Sequence, residues 1–383
     1  MFFLFWISCL TPKLQSKKVQ KEVRYRPVLD SKEPVVSMLP NATWDQGLRA
    51  AVDELLLEIR DPRAFLSHEA IRIALSRAGF PGQARFAKTV NNGSIPKDLL
   101  LQVIQDVGKE KVDVALRSRK YGNGVTLWII GWAPHLVDID PLPRDIPLDG
   151  SFSIRIGAKK TQKAMLFIAP PDGEVEKTPI LPQASRAVPS MHIPGEYRYE
   201  IVVESKKGPQ VAALFSVFAD QPAPPVPALI RSPRTVPNPN SAEQFLYKEV
   251  NTLRRQRGLQ PLQRYEAFES LAREHSSWMA NTGIVAHQIP GVTKGVQFHA
   301  QRLFHPYANH YESIAAAQNA KEAFDIVISS PAHLQTFLCV ECSHIAIGAT
   351  IEPVLDRVPR LFVTWEMLYF PLGPSLRKDR YGR

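Results

Sequence analysis

The chain has 383 residues, 44% of them hydrophobic and 22% charged, with a formal net charge of +10. That apolar content sets aside a disordered chain, and the length predicts two or three domains. The excess positive charge falls almost entirely in residues 12–36, in the Pro-rich stretch 221–242 and in the tail from Pro371; no nucleic-acid-binding motif or basic face with interleaved aromatics accompanies it, which argues against a nucleic-acid partner.

Residues 1–10 are nearly all apolar and stop at Thr11-Pro12-Lys13, too short a run to span a bilayer. They read as the end of a secretory signal within a leader of residues 1–20. Trp6-Ile7-Ser8-Cys9 resembles a bacterial lipobox, which predicts lipidation at Cys9 and membrane association through that anchor. A plain export signal or short anchor, and no export at all, are the alternatives. Residues 21–41 form a basic linker suited to an anionic lipid surface.

Residues 42–142 predict an α/β module. Helical periodicity covers 48–59, 68–78 and 96–107, and strands at 112–116 and 125–130 flank Tyr121-Gly-Asn-Gly124. Three helical runs before a hairpin also match the element order at the C-terminal end, so a degenerate, cleft-less copy of that later domain is one reading and an unrelated α/β domain the other. His68 lacks spaced Glu and His partners, so no second site is expected there. Residues 143–220 alternate in the manner of strands at 152–156, 164–168, 197–203 and 211–218, separated by turn signals at 170–173, 194–195 and 207–209. This predicts a small Ig-like β-sandwich without chemistry of its own. Residues 221–240 read as a semi-rigid Pro-rich spacer.

In residues 241–371, Ser241 and Gln244 form the pattern of a capping box, Leu246 and Val250 recur at helical spacing, and Gly258 supplies a left-handed stop. A second helix aligns Leu271, His275 and Met279 on one stripe and ends at Asn281-Thr-Gly283, so His275 reads as a packed core residue. His287 follows in a loop, where functional side chains cost the scaffold little. Then come Tyr311-Glu312-Ser313-Ile314, Ser330-Pro-Ala-His333, and a strand pair at 345–348 and 361–365 with His344 just before it.

In that order and spacing the segment resembles the bacterial branch of the CAP superfamily (cysteine-rich secretory proteins, antigen 5, pathogenesis-related 1; the SCP domain). The resemblance implies an α-β-α sandwich with a cleft lined here by His287, Glu312, His333 and His344. Several positions depart from the family pattern: Val285-Ala286 before the first His, Tyr311 and Ser313 beside the Glu, and Ala332 and Leu334 around His333. The place of a second Glu falls near Ser330, so the full set of two His and two Glu is missing. The remaining His287, Glu312 and His333 suit Zn²⁺ with an open coordination position. A hydrogen-bonded polar cluster that only closes the cleft is the alternative. Cys339 and Cys342 are expected to pair as a local disulfide in an exported domain, with a metal set of both cysteines and one nearby His as the competing arrangement. Residues 372–383 form a basic tail.

Taken together, the sequence predicts a multidomain α+β protein of the cell envelope: an N-terminal α/β module, an Ig-like sandwich and a C-terminal CAP-like domain. The expected role is non-enzymatic binding of a lipid, peptide or divalent cation. A Zn-dependent envelope hydrolase or peptidase is one alternative, and a structural adhesion protein with a vestigial cleft is another.

Overall fold

The computed structural model describes residues 39, 41–108, 110–139, 142–157, 163–181, 185–205, 208–229, 238–287, 309–354 and 359–370. The leader, Cys9, the basic linker up to residue 38 and the tail 372–383 lie outside the described residues.

The first unit begins with a short strand β1 (Ala42–Trp44), followed by helices α1 (Gln46–Glu58) and α2 (His68–Ala78). Both helices start where a polar side chain accepts an orphan amide, Asp45 from Leu48 and Ser67 from Ala70. Strand β2 (Arg85–Asn91), helix α3 (Lys97–Val107) and the hairpin β3 (Val112–Lys120) and β4 (Thr126–Pro134) complete it. The strand order is β1-β3-β4-β2, with β1 parallel to β3 and the other pairs antiparallel. One sheet face buries Ala115, Leu127, Ile129 and Ala133 under α1 and α2, and the other buries Val114, Leu116, Ile130 and Trp132 against α3. Strand β2 has no clean alternation of buried and exposed residues, which is why periodicity did not predict it.

The middle unit is all β: β5 (Asp138–Ile139), β6 (Asp145–Ile146), β7 (Ser153–Gly157), β8 (Ala164–Ala169), β9 (Glu176–Ile180), β10 (Ser185–Ala187), β11 (Gly195–Ser205) and β12 (Gly208–Ala219). A three-stranded sheet, β10-β7-β5, faces a five-stranded one, β6-β12-β11-β8-β9. Ile154 and Ile156 from the first meet Leu166, Ile168, Tyr199, Ile201, Phe215 and Val217 from the second in one shared core. Because side chains alternate along a strand, the odd positions of β11 fill this core and the even ones, Glu196, Arg198 and Glu200, point away from it.

The Pro-rich segment does not act as a free spacer over its described part. Val226 and Leu229 are buried in the core of the first unit, Leu229 bridges Ile59, and Arg77 donates to the Ala223 carbonyl. Apolar residues spaced among the prolines give this segment a surface to adhere to, which its proline content concealed.

The C-terminal unit comprises α4 (Pro239–Gln256), β13 (Gln263–Arg264), α5 (Glu266–Thr282), β14 (Asn309–Ala317), α6 (Ala320–Ser329), α7 (Pro331–Phe337), β15 (His344–Ile351) and β16 (Leu361–Tyr369). Asn238, not Ser241, caps α4: its side chain accepts from the Ser241 amide at 3.0 Å, and Pro239 occupies the first turn where its fixed φ suits a helix start. Gly258 and Gly283 follow α4 and α5 with φ of 69° and 72°, as the sequence predicted. The sheet runs β13-β15-β16-β14. Leu246, Val250, Phe324 and Phe337 cover one face with Ile345, Ile347, Trp365 and Met367, and α5 covers the other with Phe268, Leu271 and Met279. This is an α-β-α sandwich. Helix α5 lies so close to β15 that a Cβ on Gly348 would fall 2.1 Å from the Ala272 carbonyl carbon, and Ser276 donates to the Gly348 carbonyl at 2.7 Å. No described helix is long and apolar enough to cross a membrane.

Candidate functional site

The site forms where α5, the segment after it, β14 and α7 meet. Glu312 lies in the middle of strand β14 and pairs in register with Glu366 of β16, so both carboxyls rise from the α5-facing side of the sheet. This strand position is restrictive, because the pleat fixes where the carboxylate points.

Both oxygens of Glu312 are engaged. His275 Nδ1 donates to Oε2 at 2.8 Å and His287 Nδ1 donates to Oε1 at 2.7 Å. His275 Nε2 also donates, to the Ala286 carbonyl at 2.9 Å. With an acceptor at each ring nitrogen, His275 must carry both protons and is a buried imidazolium. Burial alone would lower its pKa, but the hydrogen bond to Glu312 and that residue's charge outweigh it, and the net direction is upward. Burial alone would likewise raise Glu312; the two imidazole hydrogen bonds reverse this and hold the carboxyl well below the usual carboxylate range. His275 is therefore 0% exposed as the stripe predicted, yet it is the charged partner of the site carboxylate rather than an inert core residue. Its spacing on an apolar stripe concealed this, since only the fold brings β14 beneath it.

Glu366 is the residue that sequence reading missed. It is fully buried, and neither oxygen receives a hydrogen bond among the described residues. Burial, then the adjacent Glu312 charge, push its pKa well above the ordinary value, so it holds its proton. His310, two residues before Glu312, lies 3.9 Å from Glu366 and is lowered by burial.

His333 projects from α7, and its ring stacks near that of His287 with centroids 6.3 Å apart and planes 22° apart. Its Nδ1 lies 2.9 Å from Ser330 Oγ. Burial and then the His287 charge lower its pKa to about 4, so it is neutral near pH 7. The site thus joins His287, Glu312 and His333, as the resemblance implied, and adds His275 and Glu366. His344 stands apart. It lies on β15, across β16 from His310 and two residues along from Glu312, or about 12 Å at ordinary strand spacing and rise. There it packs edge-on between Tyr265 and Phe370 and meets Ser343 Oγ at 2.8 Å.

The donor set does not fit a three-ligand metal centre. Among the described residues no three His, Cys, Asp or Glu side chains are grouped to hold a metal ion. Each oxygen of Glu312 already accepts an imidazole N–H, and an imidazolium such as His275 has no lone pair to offer. Among the described residues, the Zn²⁺ set expected from His287, Glu312 and His333 is not grouped as metal ligands. Nor is the cysteine set, since Cys339 and Cys342 are joined in a disulfide with Cα atoms 5.4 Å apart. That loop is anchored from inside by Arg254, 1% exposed, which donates to the carbonyls of Phe337 and Cys339 at the end of α7 and of Gln260.

Residues 247–358 match the family described as the cysteine-rich secretory protein family, CAP. None of the curated proteins matches the chain. Among solved structures, an outer surface protein from Borrelia burgdorferi shares 17% identity over 33% of this chain and 92% of its own, with a TM-score of 0.29. An extracellular protein containing a SCP domain from Bacillus anthracis str. Ames shares 14% over 52% and 87%, also at 0.29. A cysteine-rich secretory protein from Staphylococcus aureus shares 9% over 80% and 97%, at 0.25. The family match identifies a CAP domain in the C-terminal third of this chain.

Proposed function

We propose that the chain is an exported envelope protein whose CAP domain binds a ligand non-covalently at His287 and His333, above the Glu312 carboxylate. The observation that carries this reading is the engagement of both Glu312 oxygens by His275 and His287. A carboxylate held in this way orients imidazoles. Of the nearby hydroxyls, Ser313 pairs with Thr336 and Ser330 donates to Glu200. The paired rings of His287 and His333, with exposed Ile284, Val285 and Tyr311 near His287 and Glu312 in the chain, suit a ligand with both an apolar body and a polar group, such as a lipid or a peptide. In this reading the middle unit is an Ig-like support without chemistry, and Cys9 carries a lipid that holds the chain at the membrane.

Native mass spectrometry of the full chain against a fatty acid, a sterol and a peptide pool tests the binding reading, with Zn²⁺ titration by calorimetry beside it. Retained ligand on the wild type that disappears in the His287→Ala, His333→Ala double variant supports it. Tight Zn²⁺ binding accompanied by hydrolytic turnover overturns it in favour of the hydrolase. Palmitate labelling that disappears in Cys9→Ala tests the anchor separately.

A further inference from the structure

The corner between α6 and α7 is held by residues of both other units. His68 of α2 meets Ser329 Oγ at 3.0 Å, and Arg198 of β11 donates to the Ile328 carbonyl. Glu200, also on β11, accepts from Ser330 Oγ at 2.7 Å and from the Ala332 amide at 2.8 Å, both at Oε2. Glu200 is 1% exposed. A carboxyl on the outer face of a strand is ordinarily solvated; here it is buried against the neighbouring domain, where Oε2 accepts from the start of the helix that carries His333.

Ser330 Oγ has a single proton. Glu200 Oε2 takes two donors, one of them the Ala332 N–H, and so has no proton of its own to give along the serine direction. The Ser330 proton is therefore committed to Glu200, and Ser330 faces His333 Nδ1, 2.9 Å away, with a lone pair. A neutral imidazole placed against an acceptor presents N–H there and leaves its other nitrogen bare. We infer that Glu200, contributed by the middle unit, is a positioning residue of the CAP-domain site: through Ser330 it fixes His333 as the Nδ1–H tautomer and leaves Nε2 as the acceptor offered to a ligand. The site is then completed by a domain other than the one that carries its imidazoles, and the ligand group it selects at His333 is a hydrogen-bond donor, a hydroxyl, amide or ammonium. The functional meaning rests on reading His333 as a ligand-facing group, whereas the tautomer itself does not.

The test reads the imidazole directly, on the full chain with 15N-labelled histidine at neutral pH and without ligand. In the wild type, His333 Nδ1 gives the shift of a protonated nitrogen and Nε2 that of a bare one. In Glu200→Ala the Ser330 hydroxyl loses its acceptor and donates to His333 instead, so the two resonances exchange ranges. Glu200→Gln, whose amide oxygen can accept both donors, restores the wild-type pattern; a purely structural role gives no such exchange and rescue. Should Glu200→Ala fail to fold, Glu200→Met fills the same volume without an acceptor and is read the same way. A His333 that remains Nδ1–H in the acceptor-free variant, or that is Nε2–H in the wild type, overturns the inference. Absence of ligand binding leaves this result untouched and counts only against the proposed function.

Discussion

The first and last units of this chain share one sheet plan and use it for different ends. Each has a short strand parallel to the first strand of a hairpin, with the second hairpin strand paired antiparallel to an earlier one: β1-β3-β4-β2 and β13-β15-β16-β14. Matching the parallel pairs, Trp44 with Val114 and Arg264 with Ile345, sets the two sheets in register. Gly131, which pairs with Phe86, then falls where Glu366 pairs with Glu312, and Leu55 of α1 falls where α5 has His275. The first sheet closes this place with apolar side chains: a Cβ on Gly131 would meet Phe86 at 3.0 Å and Leu48 at 3.1 Å. The last sheet fills it with an imidazolium, a carboxylate and a protonated carboxyl. One backbone arrangement thus supports either a dry core or a polar site. The choice lies in three positions that face a helix.

The largest expected effect is at Gly348. Because its Cβ would collide with the backbone of α5, Gly348→Ala should destabilise the last unit by about 3 kcal/mol or more, whereas Gly131→Ala, which meets only side-chain atoms, should cost about 1 kcal/mol. Denaturant unfolding followed by tryptophan fluorescence compares them; equal costs would mean that α5 is less closely seated than α1. Next comes the buried ion pair. Glu312→Leu leaves His275 without its counter-charge and should cost about 3–5 kcal/mol, while the double variant His275→Leu, Glu312→Leu, which imitates the first sheet, should recover at least half of it. The pair also sets a pH limit: His275 is raised in the folded state, so its stabilisation is present at low pH and lost as pH rises through its folded pKa.

Two other histidines give the units opposite pH responses. His333 falls from 6.5 to about 4 on folding, so the unfolded chain binds more protons between those values and stability declines as pH is lowered through that window. His135, in the first unit, is raised from 6.5 to about 9, first by its hydrogen bond to Asp113, so its contribution is complete below 6.5 and lost as pH rises toward and past 9. Each is worth about 1–3 kcal/mol at most, the lower figure applying to the partly exposed His135. Thermal unfolding across pH should show the acid slope flattened in His333→Gln and the alkaline slope flattened in His135→Gln; one variant flattening both would contradict the assignment. The smallest effect distinguishes two caps: Asn238→Ala should cost about 1 kcal/mol and Ser241→Ala close to nothing.

The elements with strong local patterns were legible in the sequence. Helices at 68–78 and 97–107, the four longer strands β7, β8, β11 and β12 of the middle unit and the glycine stops at 258 and 283 follow from periodicity and φ preference alone. His287, Glu312 and His333 were legible through their order, because the resemblance spans several turns of chain. The role of His275 was not, since a histidine on an apolar stripe looks the same whether it faces a leucine or a carboxylate. Glu366 was hidden for the same reason in a strand of buried residues. Glu200 was harder still: its even position on β11 predicts a solvated face, and only the packing of a second domain buries it. His344 misled in the opposite direction, because adjacency to a motif in sequence becomes two strands of separation in a sheet.

The pairing of His275 with Glu312, beside an uncharged Glu366 and a neutral His333, leaves the buried part of the cleft with no net charge. These four groups give an arriving ligand little long-range field, so their contribution to its association rate should change little between low and high ionic strength. The positive charge of the chain lies elsewhere, in residues 12–36 and beyond Pro371. Any attraction of the chain to an anionic surface should weaken steeply as salt is added. Salt dependence therefore separates two ways in which this protein can meet its surroundings: a salt-sensitive one through its basic segments, and a salt-insensitive one through the cleft.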